Sequence, residues 1–275
     1  MSTFGIRKYI SSLLFKPPKP LLLYPLDFTE SLDKTWITDE CFNAWDACSI
    51  PNICCKHDSP KYTIIYSHGN NENLLTLRWY VEELSKIMQA DVYAFEYPGY
   101  YKKLVNDSQL ECSEELCFRD AERFVEHIKR ISSLPVILFG YSMGCALTLH
   151  CASVHKEQDF PHAVVLLAPF VSAASVVLAP GERTLALQPL WSPFDVFVMK
   201  SSALTQGHRI FIANGGLDTI VPPAHGAALA RWAGKHGHST YLNVPEATHS
   251  TIRIFADVYE QLQLFLENID FSEHQ

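Results

Sequence analysis

Three residues in this chain have the types and the placement for nucleophilic catalysis: Ser142, Asp218 and His249. A serine hydroxyl is a weak nucleophile at neutral pH. It needs a neighbouring base to take its proton, and that base needs a carboxylate to orient it. Ser142 lies in Phe139-Gly140-Tyr141-Ser142-Met143-Gly144-Cys145, with a glycine two positions to either side. Between a strand and a helix, this spacing is the pattern of a nucleophile elbow, a turn tight enough to require small neighbours. Gly140 and Gly144 therefore answer a steric need. Asp218 lies in Gly215-Gly216-Leu217-Asp218-Thr219-Ile220-Val221-Pro222, and His249 in Pro245-Glu246-Ala247-Thr248-His249.

Other residues compete for these roles. Glu246 is the nearest rival acid, being close in sequence to His249, while Asp195 sits in an apolar stretch and suits the satisfaction of backbone groups. Among the histidines, His225 begins a helix and reads as a capping or packing residue. His236 and His238 flank a turn and read as solvated. His150 and His155 fall on or just past the helix after Ser142, pointing away from the elbow. An acyl-transfer intermediate also needs donors for its oxyanion. The N–H of Met143, next after the nucleophile, is the expected first donor. The second is expected from Ser67-His68-Gly69-Asn70-Asn71, with the Asn70 N–H as the choice and Asn71 as its fallback; His68 reads as a brace for that loop.

The elements needed to position these residues can be read from periodicity. Pro135-Val136-Ile137-Leu138-Phe139 reads as a buried strand, and the residues from Cys145 to His150 as a helix. Before them come a strand at 62–67, a helix at 74–88 with Leu74, Leu77, Val81, Leu84 and Met88 on one face, a strand at 92–97 and a helix at 113–131. After them come strands at 163–168, 210–214 and 240–244, a helix at 224–236 and a closing helix at 251–268. Trp36-Ile37 and Ser49-Ile50 are the best strand fragments upstream. Repeated βα units imply an α/β fold with a mostly parallel sheet covered on both faces. Ser142, Asp218 and His249 then all fall on loops at one edge of that sheet.

Two segments stand outside this rhythm. Residues 1–20 carry Phe4, Ile6, Tyr9, Ile10, Leu13 and Leu14 at roughly helical spacing beside Arg7, Lys8, Lys16 and Lys19, and Pro17, Pro18 and Pro20 end any helix. They read either as an interfacial segment making peripheral membrane contact through residues 1–16 or as a helix docked on the domain. Residues 21–275 form one domain, with an apolar cap insert at about 169–208 that includes Phe170, Val176, Leu185, Trp191 and Phe194.

Composition narrows the function classes. The chain has 275 residues, 48% hydrophobic and 19% charged, which suits a folded core; its net charge of −8, with no basic stripe, argues against nucleic acid. No apolar run reaches the length of a membrane-spanning helix. Eight cysteines show no CxxC pair and no zinc spacing, so neither a metal nor a cofactor is expected, and a reduced cytoplasmic protein is.

Taken together, the chain resembles the α/β-hydrolase superfamily, and more narrowly the ABHD-type serine hydrolases that include protein depalmitoylases. The resemblance rests on Phe15-Lys16-Pro17-Pro18-Lys19-Pro20, Tyr66-Ser67-His68-Gly69-Asn70, Glu96-Tyr97-Pro98-Gly99-Tyr100, Gly140-Tyr141-Ser142-Met143-Gly144, Gly216-Leu217-Asp218-Thr219-Ile220-Val221 and Ala247-Thr248-His249. It implies the same Ser, acid, His order along the chain. Two departures stand out: the family's Gly-Tyr-Gly turn is Gly99-Tyr100-Tyr101 here, and residues 1–20 lack the cysteine cluster of the lipidated depalmitoylases. The expected function is serine hydrolysis of acyl esters or thioesters through an acyl-enzyme, with S-acylated proteins as the leading substrates. Lysophospholipids and monoacylglycerols are the alternative. A catalytically silent binding protein on the same fold is the reading from another class.

Overall fold

The computed structural model describes residues 15–19, 22–23, 36–37, 50–102, 112–155, 160–177, 197–199, 207–235, 239–269 and 271. The amphipathic spacing of residues 1–14, the middle of the insert with Leu185, Trp191, Phe194 and Asp195, and His236 and His238 lie outside the described residues.

Among the described residues, the elements follow in the order β1 (Leu22–Leu23), β2 (Trp36–Ile37), β3 (Asn52–Cys55), β4 (Tyr62–Ser67), α1 (Leu74–Met88), β5 (Ala90–Phe95), β6 (Tyr101–Lys102), α2 (Glu114–Ile131), β7 (Val136–Tyr141), α3 (Gly144–Val154), β8 (Ala163–Leu167), α4 (Ala173–Val177), β9 (Ile210–Gly215), α5 (Ala224–Ala233) and β10 (Ser239–Val244). A 3-10 turn at Thr251–Ile254 and α6 (Ala256–Glu267) close the described fold. Eight strands form the main sheet in the order β10-β9-β8-β7-β4-β5-β3-β2. The run from β10 to β5 is parallel, and β3 and β2 add to it antiparallel. Strands β1 and β6 pair separately.

Helices cover both faces, as a parallel sheet requires. On one face α2, α3 and α5 bury Phe124, Ile128, Leu147 and Leu229 with Leu138, Val164 and Ile212 of the sheet. On the other, α1 and α6 bury Leu77, Leu84, Val258 and Leu262 with Ile64, Phe139 and Phe211. Helix α1 begins at a capping box, in which the Asn73 side chain accepts from the Thr76 N–H and the Thr76 hydroxyl accepts from the Asn73 N–H.

Several boundaries differ from the sequence reading. The strand expected at 92–97 starts at Ala90, because Gln89 ends α1 in the left-handed conformation (φ 50°) and the chain turns straight into the sheet. The strand expected near Ser49-Ile50 forms at Asn52–Cys55. The closing helix is broken: Phe255 is extended (φ −77°, ψ 125°) and separates the 3-10 turn from α6. The 3-10 turn is capped at its start, where the Thr251 hydroxyl oxygen accepts from the Thr248 N–H at 2.8 Å.

At the centre of the sheet, β7 runs on to Tyr141 and stops in Ser142, which adopts φ 52°. A Cβ on Gly144 would fall 2.0 Å from the Ser67 carbonyl oxygen, and one on Gly140 2.6 Å from the Cys145 Cα. Neither neighbour can move aside, because both are backbone of packed elements. Gly144→Ala is therefore expected to lose about 3 kcal/mol or more of stability in urea denaturation, at the upper end of overpacking costs. Gly234→Ala, at the helical end of α5 (φ −64°), should stay within about 1 kcal/mol of the parent.

Candidate active site

Ser142, Asp218 and His249 converge although they are far apart in sequence. His249 Nε2 lies 3.0 Å from Ser142 Oγ, and His249 Nδ1 lies 2.7 Å from Asp218 Oδ2. The carboxylate fixes the tautomer: Nδ1 carries the proton and donates to Asp218, so Nε2 faces the serine hydroxyl as an acceptor. Asp218 is buried, and its other oxygen accepts the N–H groups of Ile220 at 2.9 Å and Val221 at 2.7 Å. Every acceptor direction of the carboxylate that matters is thus filled from its own turn or from the imidazole.

The two loops that bring Asp218 and His249 together are held backbone to backbone. Gly216 N–H donates to the Val244 carbonyl at 2.7 Å and Leu217 N–H to the Ala247 carbonyl at 2.9 Å. A Cβ on Gly215 would lie 2.3 Å from the Ala247 carbonyl oxygen, so this close approach requires glycine. Tyr141, just before the serine, donates its hydroxyl to the His249 carbonyl at 3.0 Å. The rival acid Glu246 is exposed and outside this chain of contacts. His150 pairs with Glu122 and His155 with Glu126, tying α3 to α2.

The loop after β4 closes another side. Glu72 accepts the Gly69 N–H at 2.7 Å, and the Tyr97 hydroxyl donates to the His68 carbonyl at 2.7 Å. His68 is buried, bridges the Gly69 carbonyl and the Glu96 carboxylate, and stacks on Tyr97 at 3.9 Å. Asn70 Oδ1 gathers three donors: the Tyr100 hydroxyl at 2.6 Å, the Lys16 N–H at 2.9 Å and the Asn71 N–H at 3.1 Å. The fallback oxyanion donor is therefore already engaged, since the Asn71 N–H is turned to its neighbour's side chain. The Met143 N–H, at the start of α3, has no acceptor among the described residues. Tyr100 of the variant Gly-Tyr-Tyr turn reaches this site through Asn70.

Sequence reasoning missed one pair. Arg253 and Glu72 form an ion pair at 2.7 Å, both largely buried, and the guanidinium lies over the rings of Tyr141 at 4.3 Å and Tyr80 at 4.9 Å. Glu72 thus holds Gly69 with one oxygen and Arg253 with the other, linking the loop after β4 to the segment that follows His249. Ser142, Met143, Asn70, Asn71, Glu72, His249 and Arg253 line a cavity of about 480 Å³, together with Lys16, Phe170, Val176, Ile220 and Val221. That volume is in the range of small-molecule sites. Among the described residues, no group of three or more His, Cys, Asp or Glu side chains is arranged to hold a metal. The described ends of the insert supply Phe170 and Val176 to the wall.

Two predictions follow from this geometry. Arg253→Met strands the Glu72 carboxylate and is expected to cost about 3 kcal/mol, the lower end for breaking a buried pair. Adding Glu72→Gln should recover part of that loss in the same urea titration, and a single variant with unchanged stability would exclude the pair as an anchor. The second concerns His225, which is fully buried beside this site. Its Nδ1 accepts the Val171 N–H at 3.2 Å, so the ring is neutral with its proton on Nε2. Burial lowers its pKa from 6.5 to about 4. The unfolded chain binds this proton first, so the contribution is present above about pH 6.5 and is lost as pH falls towards 4, a difference of about 3 kcal/mol. Melting temperature against pH should show this slope in the parent and a flatter one in His225→Asn.

Comparison with known proteins agrees with this architecture. A family model described as serine aminopeptidase, S33, matches residues 58–206. The mouse protein "Alpha/beta hydrolase domain-containing protein 17C" is 24% identical over 215 residues, covering 76% of this chain and 61% of its own length. The Xenopus laevis 17B protein is 24% identical over 218 residues, covering 78% of this chain and 68% of its own. The chain thus spans about three fifths of the length of the 17C relatives. Among solved structures, a soluble variant of monoglyceride lipase from Saccharomyces cerevisiae, in complex with a substrate analog, superposes with a TM-score of 0.61 at 14% identity, covering 93% of this chain and 100% of that one. A Pyrococcus furiosus esterase gives 0.62 at 18% identity, covering 93% and 97%. Ser142, His249 and Asp218 thus sit on an α/β-hydrolase fold of the ABHD type, in a chain that belongs to the serine aminopeptidase S33 family of hydrolases.

Proposed function

We propose that the protein is a serine hydrolase that cleaves acyl esters or thioesters through a covalent acyl-enzyme. The carrying observation is the unbroken series from the Asp218 carboxylate through His249 to the Ser142 hydroxyl, opening into a cavity with Phe170, Val176, Ile220 and Val221 in its wall. His249 takes the Ser142 proton as Oγ attacks the acyl carbonyl. Asp218, already anchored by two backbone N–H groups, holds the imidazolium that forms. The Met143 and Asn70 N–H groups receive the oxyanion, a contribution of ~10²–10³ in rate for each such donor. His249 then returns the proton to the leaving alcohol or thiol, and a water activated by the same imidazole releases the acid.

The apolar side chains favour an acyl chain over a peptide amine as the bound group. An aminopeptidase, the activity in the family's description, must hold an α-ammonium near its nucleophile. Apart from Asp218, which is engaged with His249, the carboxylate at this cavity among the described residues is Glu72. Its oxygens are taken by Arg253 and Gly69. S-acylated proteins and lysolipids both present a suitable acyl group. The membrane contact expected of residues 1–16 rests on the apolar spacing of residues 1–14, since Phe15 packs edge-on against Phe197 at 5.5 Å.

A fluorophosphonate probe is expected to label Ser142, read by peptide mass spectrometry. Ser142→Ala should lose on the order of 10⁶ in kcat on a soluble ester, by analogy with other triads. Asp218→Asn should lose about 10⁴ by leaving His249 in the wrong tautomer. Unlabelled Ser142 would favour a silent binding protein, and hydrolysis surviving in Ser142→Ala would refute the assignment.

A further inference from the structure

We propose that Lys16 forms an anion subsite at the mouth of the Ser142 cavity, selecting acyl esters whose alcohol portion carries a phosphate close to the ester. This rests on the reading of Ser142 as nucleophile and names the substrate class of that site. Three observations carry it.

First, Lys16 lines the same cavity as Ser142 and His249, although it lies far ahead of both in the sequence. Its position is fixed by the fold. Its backbone N–H donates to Asn70 Oδ1 at 2.9 Å, Phe15 is packed edge-on against Phe197, and Pro17-Pro18 restrict the chain that leaves the site. The backbone at Lys16 is therefore anchored beside the cavity, and its side chain is exposed to solvent there.

Second, the other charges of the lining are already neutralised. Arg253 is paired with Glu72 at 2.7 Å, and Asp218, behind His249, is engaged at 2.7 Å. Among the described residues no carboxylate pairs with Lys16, so the uncompensated charge at the mouth is positive. The chain as a whole carries −8, which repels anions at long range, so this cation runs against the general field.

Third, the lining divides by chemistry. Phe170, Val176, Ile220 and Val221 suit an acyl chain, whereas Lys16 with Asn70 and Asn71 offers a point charge and amide groups. Lysine is a common phosphate partner of this kind. In about 480 Å³, a phosphate one glycerol unit from the acyl carbonyl shares the cavity with the ester. A neutral acylglycerol leaves Lys16 hydrated. A coenzyme A thioester carries the same phosphate chemistry at the end of a long arm, so the subsite favours a lysophosphatidate-type ester over it.

The test compares matched substrates at monomeric concentrations: decanoylglycerol against decanoylglycerol 3-phosphate, and decanoyl-coenzyme A against a neutral decanoyl thioester. Each is measured on the parent, Lys16→Ala, Lys16→Glu, Lys16→Arg and the control Lys19→Glu. The kcat/KM ratio of phosphate-bearing to neutral ester should fall about two- to fivefold in Lys16→Ala and roughly tenfold in Lys16→Glu, as expected for one partly exposed charge pair. It should hold in Lys16→Arg and Lys19→Glu, and shrink with added salt in the parent. An equal ratio in the parent and Lys16→Glu overturns the subsite. A Lys16-dependent ratio in the coenzyme A pair alone overturns the glycerol phosphate assignment. Binding is read separately as protection of Ser142 from fluorophosphonate by decyl phosphate against decanol, with the same variants and the same expected order. Equal protection by the two in the parent also counts against the proposal. If Ser142 is unlabelled, the nucleophile assignment fails by itself, and calorimetric titration with decyl phosphate still decides the subsite: Lys16-dependent binding supports it and Lys16-independent binding overturns it.

Discussion

The turn at Ser142 exists because two pieces of backbone touch where a side chain would keep them apart. The first turn of α3 lies so close to the end of β4 that a methyl group on Gly144 would overlap the Ser67 carbonyl. That contact lets the chain leave β7 and enter a helix within two residues, with Ser142 at positive φ. A non-glycine residue in this region carries strain of about 1–3 kcal/mol. The surrounding sheet bears it: Gly140 is paired with Ser67 on one side and Tyr141 with Leu167 on the other, while the Ser142 N–H donates to the Leu167 carbonyl at 2.9 Å. A central strand locked on both sides cannot relax the turn without breaking its own ladder.

The same edge of the sheet then needs three more loops at fixed heights, two of them held by each other and the third by side chains. The loops after β9 and β10 are joined through their backbones, with glycine at the closest approach. The loop after β4 is held from beneath by His68, Glu96 and Tyr97 and from above by Tyr100 and the Lys16 backbone. Glu72 and Arg253 connect this loop to the segment after His249. A buried ion pair is weak evidence for stability, but its geometry is directional. Here the direction serves the site, because the carboxylate that holds Arg253 also holds Gly69, next to the expected oxyanion donor.

Much of this was legible in the sequence for a physical reason. Ser142 and Asp218 each follow a short buried strand and His249 follows the edge strand β10, and a parallel sheet delivers every strand end to one edge. Helix α1 matched its reading at both ends because Leu74, Leu77, Val81, Leu84 and Met88 mark one face and Asn73 caps it. Strand β7 read two residues short because Gly140 looks like a turn in sequence, whereas in the fold its missing side chain admits α3. The break at Phe255 carries no proline or glycine to announce it. The places of Glu72, Arg253 and Lys16 at the cavity were invisible for another reason. A charged residue in a loop reads as solvated surface until the fold supplies its partner, and Glu72 and Arg253 are separated in sequence by the strands β5 to β10, a span that periodicity cannot connect.

Charge balance at the mouth ties these parts to the proposed chemistry. In that reaction His249 must become an imidazolium while Ser142 attacks. A bare guanidinium over the ring of Tyr141, the residue beside the nucleophile, would oppose a second positive charge in a site of low dielectric. Glu72 removes that opposition by pairing with Arg253, so the cation can order the loops without penalising the base. His225 follows the same logic: buried near Asp218, it stays neutral and leaves the carboxylate to His249. Lys16 is the exception, exposed to solvent and unpaired among the described residues. Water screens its effect on the base, yet its charge remains available to a group that arrives with the substrate. An enzyme of this design keeps its catalytic interior electrically quiet and places its discriminating charge at the rim, where a bound phosphate can meet it.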